Sequence, residues 1–121
     1  RSFKENKKTV KIIKDFLKIN CPLDKLEKTL NNFINNNKLS KSVFNDLSSL
    51  KNLSRLNSKI IFSTNFGRDI EYYSGVVFEI YNSSKKEIAR GGRYDGLLKS
   101  LGAGKNISAV GAAINLNNLK T

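Results

Sequence analysis

Arg68 and Tyr73 stand five positions apart in the segment Phe66-Gly67-Arg68-Asp69-Ile70-Glu71-Tyr72-Tyr73-Ser74-Gly75, which leads into a run rich in β-branched and aromatic residues. A guanidinium fork matches a carboxylate through two parallel hydrogen bonds, and a tyrosine hydroxyl close by adds a second polar handle. Taken alone, the segment reads more simply as a surface Arg–Glu pair beside two half-buried tyrosines. A second segment, Ala89-Arg90-Gly91-Gly92-Arg93-Tyr94-Asp95-Gly96-Leu97, sets two glycines between arginine, tyrosine and aspartate. Glycines let a backbone come close to a ligand, so this loop suits a small polar molecule.

Binding is the more economical expectation than catalysis. The chain has no histidine, one cysteine and no isolated pair of carboxylates, so the usual players of general acid–base and nucleophilic chemistry are missing and no catalytic residue is assigned. The glycines of Gly102-Ala103-Gly104-Lys105-Asn106 lack both the spacing and the Ser/Thr after lysine of a phosphate-binding loop, which argues against nucleotide hydrolysis. Cys21 has no partner for an internal disulfide, and without histidines a metal site has almost no ligands to draw on. Neither a metal nor a cofactor is expected.

The elements that would position these residues follow from periodicity. Val10, Ile13, Phe16 and Leu17 recur at helical spacing, as do Leu23, Leu26, Leu30, Phe33 and Ile34, and then Val43, Leu47, Leu50 and Leu53, which predicts three amphipathic helices. Pro22 fits a first helical turn with Asn20 as its cap, and the run Asn35-Asn36-Asn37 is expected to end the second helix. From Lys59 the pattern becomes sheet-like, with Ile60-Ile61-Phe62, a long strand from Tyr72 to Tyr81, a turn at Asn82-Ser83-Ser84-Lys85 and a return at Ile88-Ala89-Arg90. A short helix over Asp95 to Leu101 and a last strand over Ala109 to Leu116 complete the reading. On the long strand Tyr72, Val76, Phe78 and Ile80 share the face expected to be core, and Tyr73, Gly75, Val77 and Glu79 share the other. The fold class is α+β, a mostly antiparallel sheet with flanking helices. The whole of 1–121 is expected to be one domain or part of one, with a helical part at 1–58 and a sheet part at 59–121.

A formal net charge of +12 and a sequence pI near 10.0 raise nucleic-acid binding first. The distribution argues against it. Residues 1–60 carry 14 Lys/Arg against 5 Asp/Glu, and residues 61–121 carry 8 against 5, so the excess lies on the helical half. There Lys7, Lys8, Lys11, Lys14 and Lys18 are scattered over helix surfaces, with many asparagines and neither interleaved aromatics nor an arginine cluster. A compositional bias toward Lys and Asn accounts for this better than a binding stripe. With no apolar run near the roughly 18 residues that a spanning helix needs, no membrane association is expected. The N-terminus has no secretory pattern, so a cytoplasmic location is expected.

Taken together, Arg68-Asp69-Ile70-Glu71-Tyr72-Tyr73-Ser74-Gly75-Val76-Val77-Phe78-Glu79 and Gly91-Gly92-Arg93-Tyr94-Asp95-Gly96-Leu97 resemble the paired histidine-specific signatures of the histidyl-tRNA synthetase family. Ala109 to Leu119 resembles motif 3 of class II synthetases, and three ordered segments make chance similarity improbable. The resemblance covers residues 59–120, and the helices match only in character. It implies part of a class II synthetase-like fold in which Arg68 holds a histidine carboxylate, Tyr73 reaches the imidazole and Tyr94 lines the same pocket. Tyr72, Glu79, Gly91, Gly92 and Arg93 are carried over as further ligand-lining positions.

The departures from the family matter as much. Motif 3 of a synthetase supplies an arginine for ATP phosphates, and the aligned residue here is Asn118, whose neutral amide cannot replace a forked cation. No segment resembles motifs 1 or 2, and the chain stops shortly after motif 3, where a synthetase would continue into its anticodon-binding domain. The resemblance is therefore to the non-aminoacylating branch that serves as regulatory subunits of ATP phosphoribosyltransferase. It implies L-histidine as ligand, a short-form ATP phosphoribosyltransferase catalytic subunit as partner, and a homodimer or larger hetero-oligomer. The alternatives are a fragment of a true histidyl-tRNA synthetase and a basic nucleic-acid-binding module.

Overall fold

A computed structural model describes residues 6–56, 59–67 and 72–119 of the chain. Contacts divide the chain into two compact units, Arg1–Phe66 and Gly67–Thr121. The class is α+β, with antiparallel sheets in both.

In the first unit, helix α1 (Lys7–Phe16) starts at Asn6, whose side chain accepts a hydrogen bond from the Lys8 amide at 3.0 Å. Strand β1 (Asn20–Pro22) and a 3-10 turn (Leu23–Lys25) follow, then helix α2 (Leu26–Asn37). Pro22 therefore lies in a strand and not in the first turn of an α-helix. The asparagine run closes α2 as expected, and Lys38 caps it in the left-handed region (φ 54°). A long 3-10 segment (Lys41–Arg55), kinked at Phe44, replaces the expected third α-helix. Strand β2 (Ile61–Ser63) returns to pair antiparallel with β1, matching Asn20 to Ser63 and Pro22 to Ile61. Thr64 secures this return, its hydroxyl donating to the Phe16 carbonyl at 2.5 Å.

Ile19, Cys21, Leu23, Leu26, Leu30 and Phe33 form the core cluster, with Ile34 also buried. The apolar spacing of α2 is thus realised in full. On α1 the buried stripe is shifted: Ile12 and Phe16 pack on the core, while Ile13 and Leu17 are exposed. The rings of Phe16, Phe33 and Phe44 meet in a triad with centroids 5.9 to 6.0 Å apart, Phe16 and Phe44 stacked at 9°. That packing accompanies the kink at Phe44.

In the second unit, β3 (Val77–Tyr81), β4 (Glu87–Arg93) and β5 (Val110–Ile114) make one antiparallel sheet in the order β3-β4-β5. Asn82 builds the β3–β4 turn, its side-chain oxygen accepting from the Lys86 amide at 2.9 Å while Lys85 takes a positive φ of 60°. Two short helices complete the unit, α3 (Leu97–Ser100) before β5 and α4 (Leu116–Leu119) after it.

The face of β3 expected to be core is the exposed one. Val76, Phe78 and Ile80 are all exposed, and so are Val110 and Ile114 of β5, whose register sets them on the same side; Tyr72, which precedes β3, is exposed too, but its ring meets those of Tyr73 and Tyr94. Alternation separates two faces of a strand, but only the neighbouring elements decide which is covered. Among the described residues, every buried hydrophobic side chain belongs to the first unit. No helix of the described residues is long and apolar enough to cross a membrane.

Candidate functional site

The second signature runs along β4 and the first leads into β3, so the antiparallel ladder brings them side by side. Val77 faces Gly92 and Glu79 faces Arg90, while Gly92 faces Gly111 across the β4–β5 pair. The ladder extends beyond β3 through Ser74, whose amide donates to the Arg93 carbonyl at 2.9 Å, and through the Arg93 amide, which donates to the Val76 carbonyl at 3.0 Å. These bonds fix the chain on either side of Gly75 and set Tyr73 above the sheet.

Three tyrosines gather there. The Tyr72 and Tyr73 rings are 4.9 Å apart, Tyr72 and Tyr94 meet edge-on at 5.7 Å, and Tyr73 and Tyr94 are 6.4 Å apart. The paired glycines make this approach possible. A Cβ on Gly92 would stand 2.8 Å from two ring carbons of Tyr73, and one on Gly111 would overlap the Tyr94 hydroxyl. The tyrosines lie on a floor of bare backbone, where each ring keeps a polar hydroxyl beside an apolar face.

Asp95 organises the surroundings. Its carboxylate accepts from Arg93 Nε at 2.7 Å and from the Ala109 amide at 3.2 Å, and its own amide donates to Ser74 Oγ at 2.9 Å. Its carbonyl accepts from the Ile107 amide at 3.2 Å, and the Tyr94 amide donates to the Ala109 carbonyl at 2.9 Å. One residue thereby joins the first signature, the end of β4 and the approach to β5.

The structure brings Tyr72, Tyr73, Tyr94 and Gly92 together. Glu79 shares the Gly92 face one residue pair further along β3, and its carboxylate accepts a hydrogen bond from the Tyr81 hydroxyl. Gly91 and Arg93 fall on the opposite side by alternation: Gly91 lies under the ring of Phe78, and the Arg93 guanidinium is engaged by Asp95. Arg68 lies outside the described residues. Asn118, read from sequence as the place of a lost phosphate-binding arginine, has a structural role. Its side-chain amide donates to the Glu87 carbonyl at 2.8 Å, and its carbonyl accepts from Asn82 at 3.2 Å, clasping α4 to the β3–β4 hairpin.

Sequence reasoning passed over Ser74, Gly111 and the bonding of Asp95. For Ser74 and Gly111 nothing local marks the role, since both act through strand pairing. For Asp95 the signal was its place two residues beyond an arginine.

A family model described as Histidyl-tRNA synthetase matches residues 2–119. The ATP phosphoribosyltransferase regulatory subunit of Agrobacterium fabrum is 35% identical over 115 residues, a stretch covering 90% of this chain and 31% of that protein. The protein of the same name from Brucella anthropi is 37% identical over 117 residues, with the same coverage of 90% and 31%. That of Brucella ovis is 45% identical over 64 residues, or 50% of this chain and 17% of that protein. The chain thus spans 31% of the length of the first two of these curated relatives.

Proposed function

The chain belongs to the histidyl-tRNA synthetase family, whose model spans residues 2–119, and on that footing we propose that it is part of a regulatory, non-aminoacylating subunit of ATP phosphoribosyltransferase that senses L-histidine. Family membership makes its antiparallel sheets part of a class II synthetase-like domain. The name carried by relatives 35% and 37% identical over 90% of the chain supports the regulatory branch.

The observation that carries the ligand site is the meeting of Tyr73 and Tyr94, one from each signature, over the Gly92–Gly111 pair. An imidazole ring is flat, with a nitrogen at each end of its polar edge. Tyrosine faces pack against such a ring, and tyrosine hydroxyls donate to or accept from its nitrogens. Arg68 takes the carboxylate as a forked pair, and Glu79, on the Gly92 side of β3, receives the ammonium. The chain does no bond-making of its own. Histidine acts by favouring one state of an assembly with the short-form catalytic subunit, a coupling of about 1–3 kcal/mol.

Calorimetric titration of L-histidine, with ATP in parallel, into the full-length natural protein tests this reading. Histidine binding that is lost in Arg68→Ala, without ATP binding, is the expected outcome. The match to a family described as Histidyl-tRNA synthetase favours a second reading, a true synthetase. Tight ATP binding with adenylate formation would replace the regulatory reading with that one.

A further inference from the structure

We infer that Arg93 and Asp95 form a positioning pair that holds Tyr73 and Tyr94 in their binding arrangement, and that neither touches the ligand; this rests on the histidine site proposed above. Strand alternation turns Arg93 to the face opposite Gly92, away from the tyrosine rings. Its stem lies against the backbone at Gly75, where an added Cβ would stand 3.2 Å from Arg93 Cδ. Its Nε donates to Asp95 at 2.7 Å, so the charge is answered within the protein.

Asp95 passes this anchorage on. Ser74, directly after Tyr73, accepts from the Asp95 amide at 2.9 Å, and Ala109, whose carbonyl receives the Tyr94 amide, donates to the Asp95 carboxylate at 3.2 Å. Each tyrosine is therefore tied, through its neighbours in sequence or its strand partner, to the same carboxylate-bearing residue. The ion pair is itself largely open to water, with side-chain exposures of 54% for Arg93 and 25% for Asp95, and an open pair is a weak stabiliser. Its value lies in ordering two aromatic side chains before a ligand arrives. Without it, that ordering is charged against binding, which weakens affinity by about tenfold for two immobilised side chains.

The test is a double-mutant cycle on the full-length protein, reading the dissociation constant for L-histidine in wild type, Arg93→Ala, Asp95→Asn and the double variant, with Arg93→Lys added. Each single variant is expected to weaken binding by about tenfold, the double by no more than either single, and Arg93→Lys to retain most of the affinity. Wild-type affinity in Asp95→Asn would overturn the inference, and so would losses that multiply in the double variant, which would mean that Arg93 and Asp95 act independently. If Asp95→Asn does not fold, Arg93→Ala and Arg93→Lys carry the test, and unchanged affinity in Arg93→Ala overturns the inference equally. Absence of histidine binding in wild type would instead remove the underlying site reading, and this inference with it.

Discussion

Replacing Gly92 by alanine tests the glycine floor directly. The new Cβ would lie 2.8 Å from Cδ1 and Cε1 of Tyr73 and 2.9 Å from the Val76 carbonyl oxygen. That oxygen accepts the Arg93 amide at 3.0 Å, so moving it costs a ladder hydrogen bond, about 1 kcal/mol. The ring must move as well, since both contacts are too close, and it gives up its contacts with Tyr72 and Tyr94, together about 1–3 kcal/mol. Against these costs stands the smaller unfolded-state entropy of alanine, about 0.4–1 kcal/mol in favour of the variant. The net expectation is a loss of about 1–3 kcal/mol, within the usual range for overpacking. Near-ultraviolet circular dichroism of the tyrosines, followed through urea unfolding, reads both the stability and the ring arrangement. Gly96→Ala is the control, since nothing lies within 4 Å of its added Cβ and its φ of −88° suits alanine. Gly92→Ala with a wild-type midpoint and an unchanged tyrosine signal would refute the floor argument.

Other substitutions probe the rest of the chain. Phe33→Ala removes the buried member of the phenylalanine triad and should cost the first unit about 3–5 kcal/mol in a far-ultraviolet melt; a loss under about 1 kcal/mol would show that the triad matters little. Asn118→Ala strips the Glu87 carbonyl of its side-chain donor, which should cost about 1 kcal/mol and speed amide exchange in α4; unchanged exchange would mean that α4 is held by other contacts.

What could be read from sequence divides by range. The α2 stripe of Leu26, Leu30, Phe33 and Ile34, the β3–β4 hairpin around Asn82 and the strand before Asn115 all follow from local spacing, and all are present. Strand β1 was hidden because three residues carry no periodicity, and because its pairing with Ile61–Ser63 spans about forty residues of chain. The change of pattern at Lys59 accordingly does not coincide with the division of contacts, which falls between Phe66 and Gly67. At the site, residue types named the tyrosines and glycines. Strand register was needed to show that Gly92 and Gly111 are opposite one another, and that Arg93 faces away from the rings.

The buried thiol of Cys21, at the centre of β1, has an experimental consequence. It is the chain's sole cysteine and lies in the first unit, whereas all four tyrosines, Tyr72, Tyr73, Tyr81 and Tyr94, lie in the second. The two units thus carry separate native reporters. A thiol reagent added in excess would record each opening of β1 as a labelling event, while tyrosine emission at the same moment would follow only the sheet. Whether the units open together or in turn can be timed in the unmodified protein, without an introduced probe.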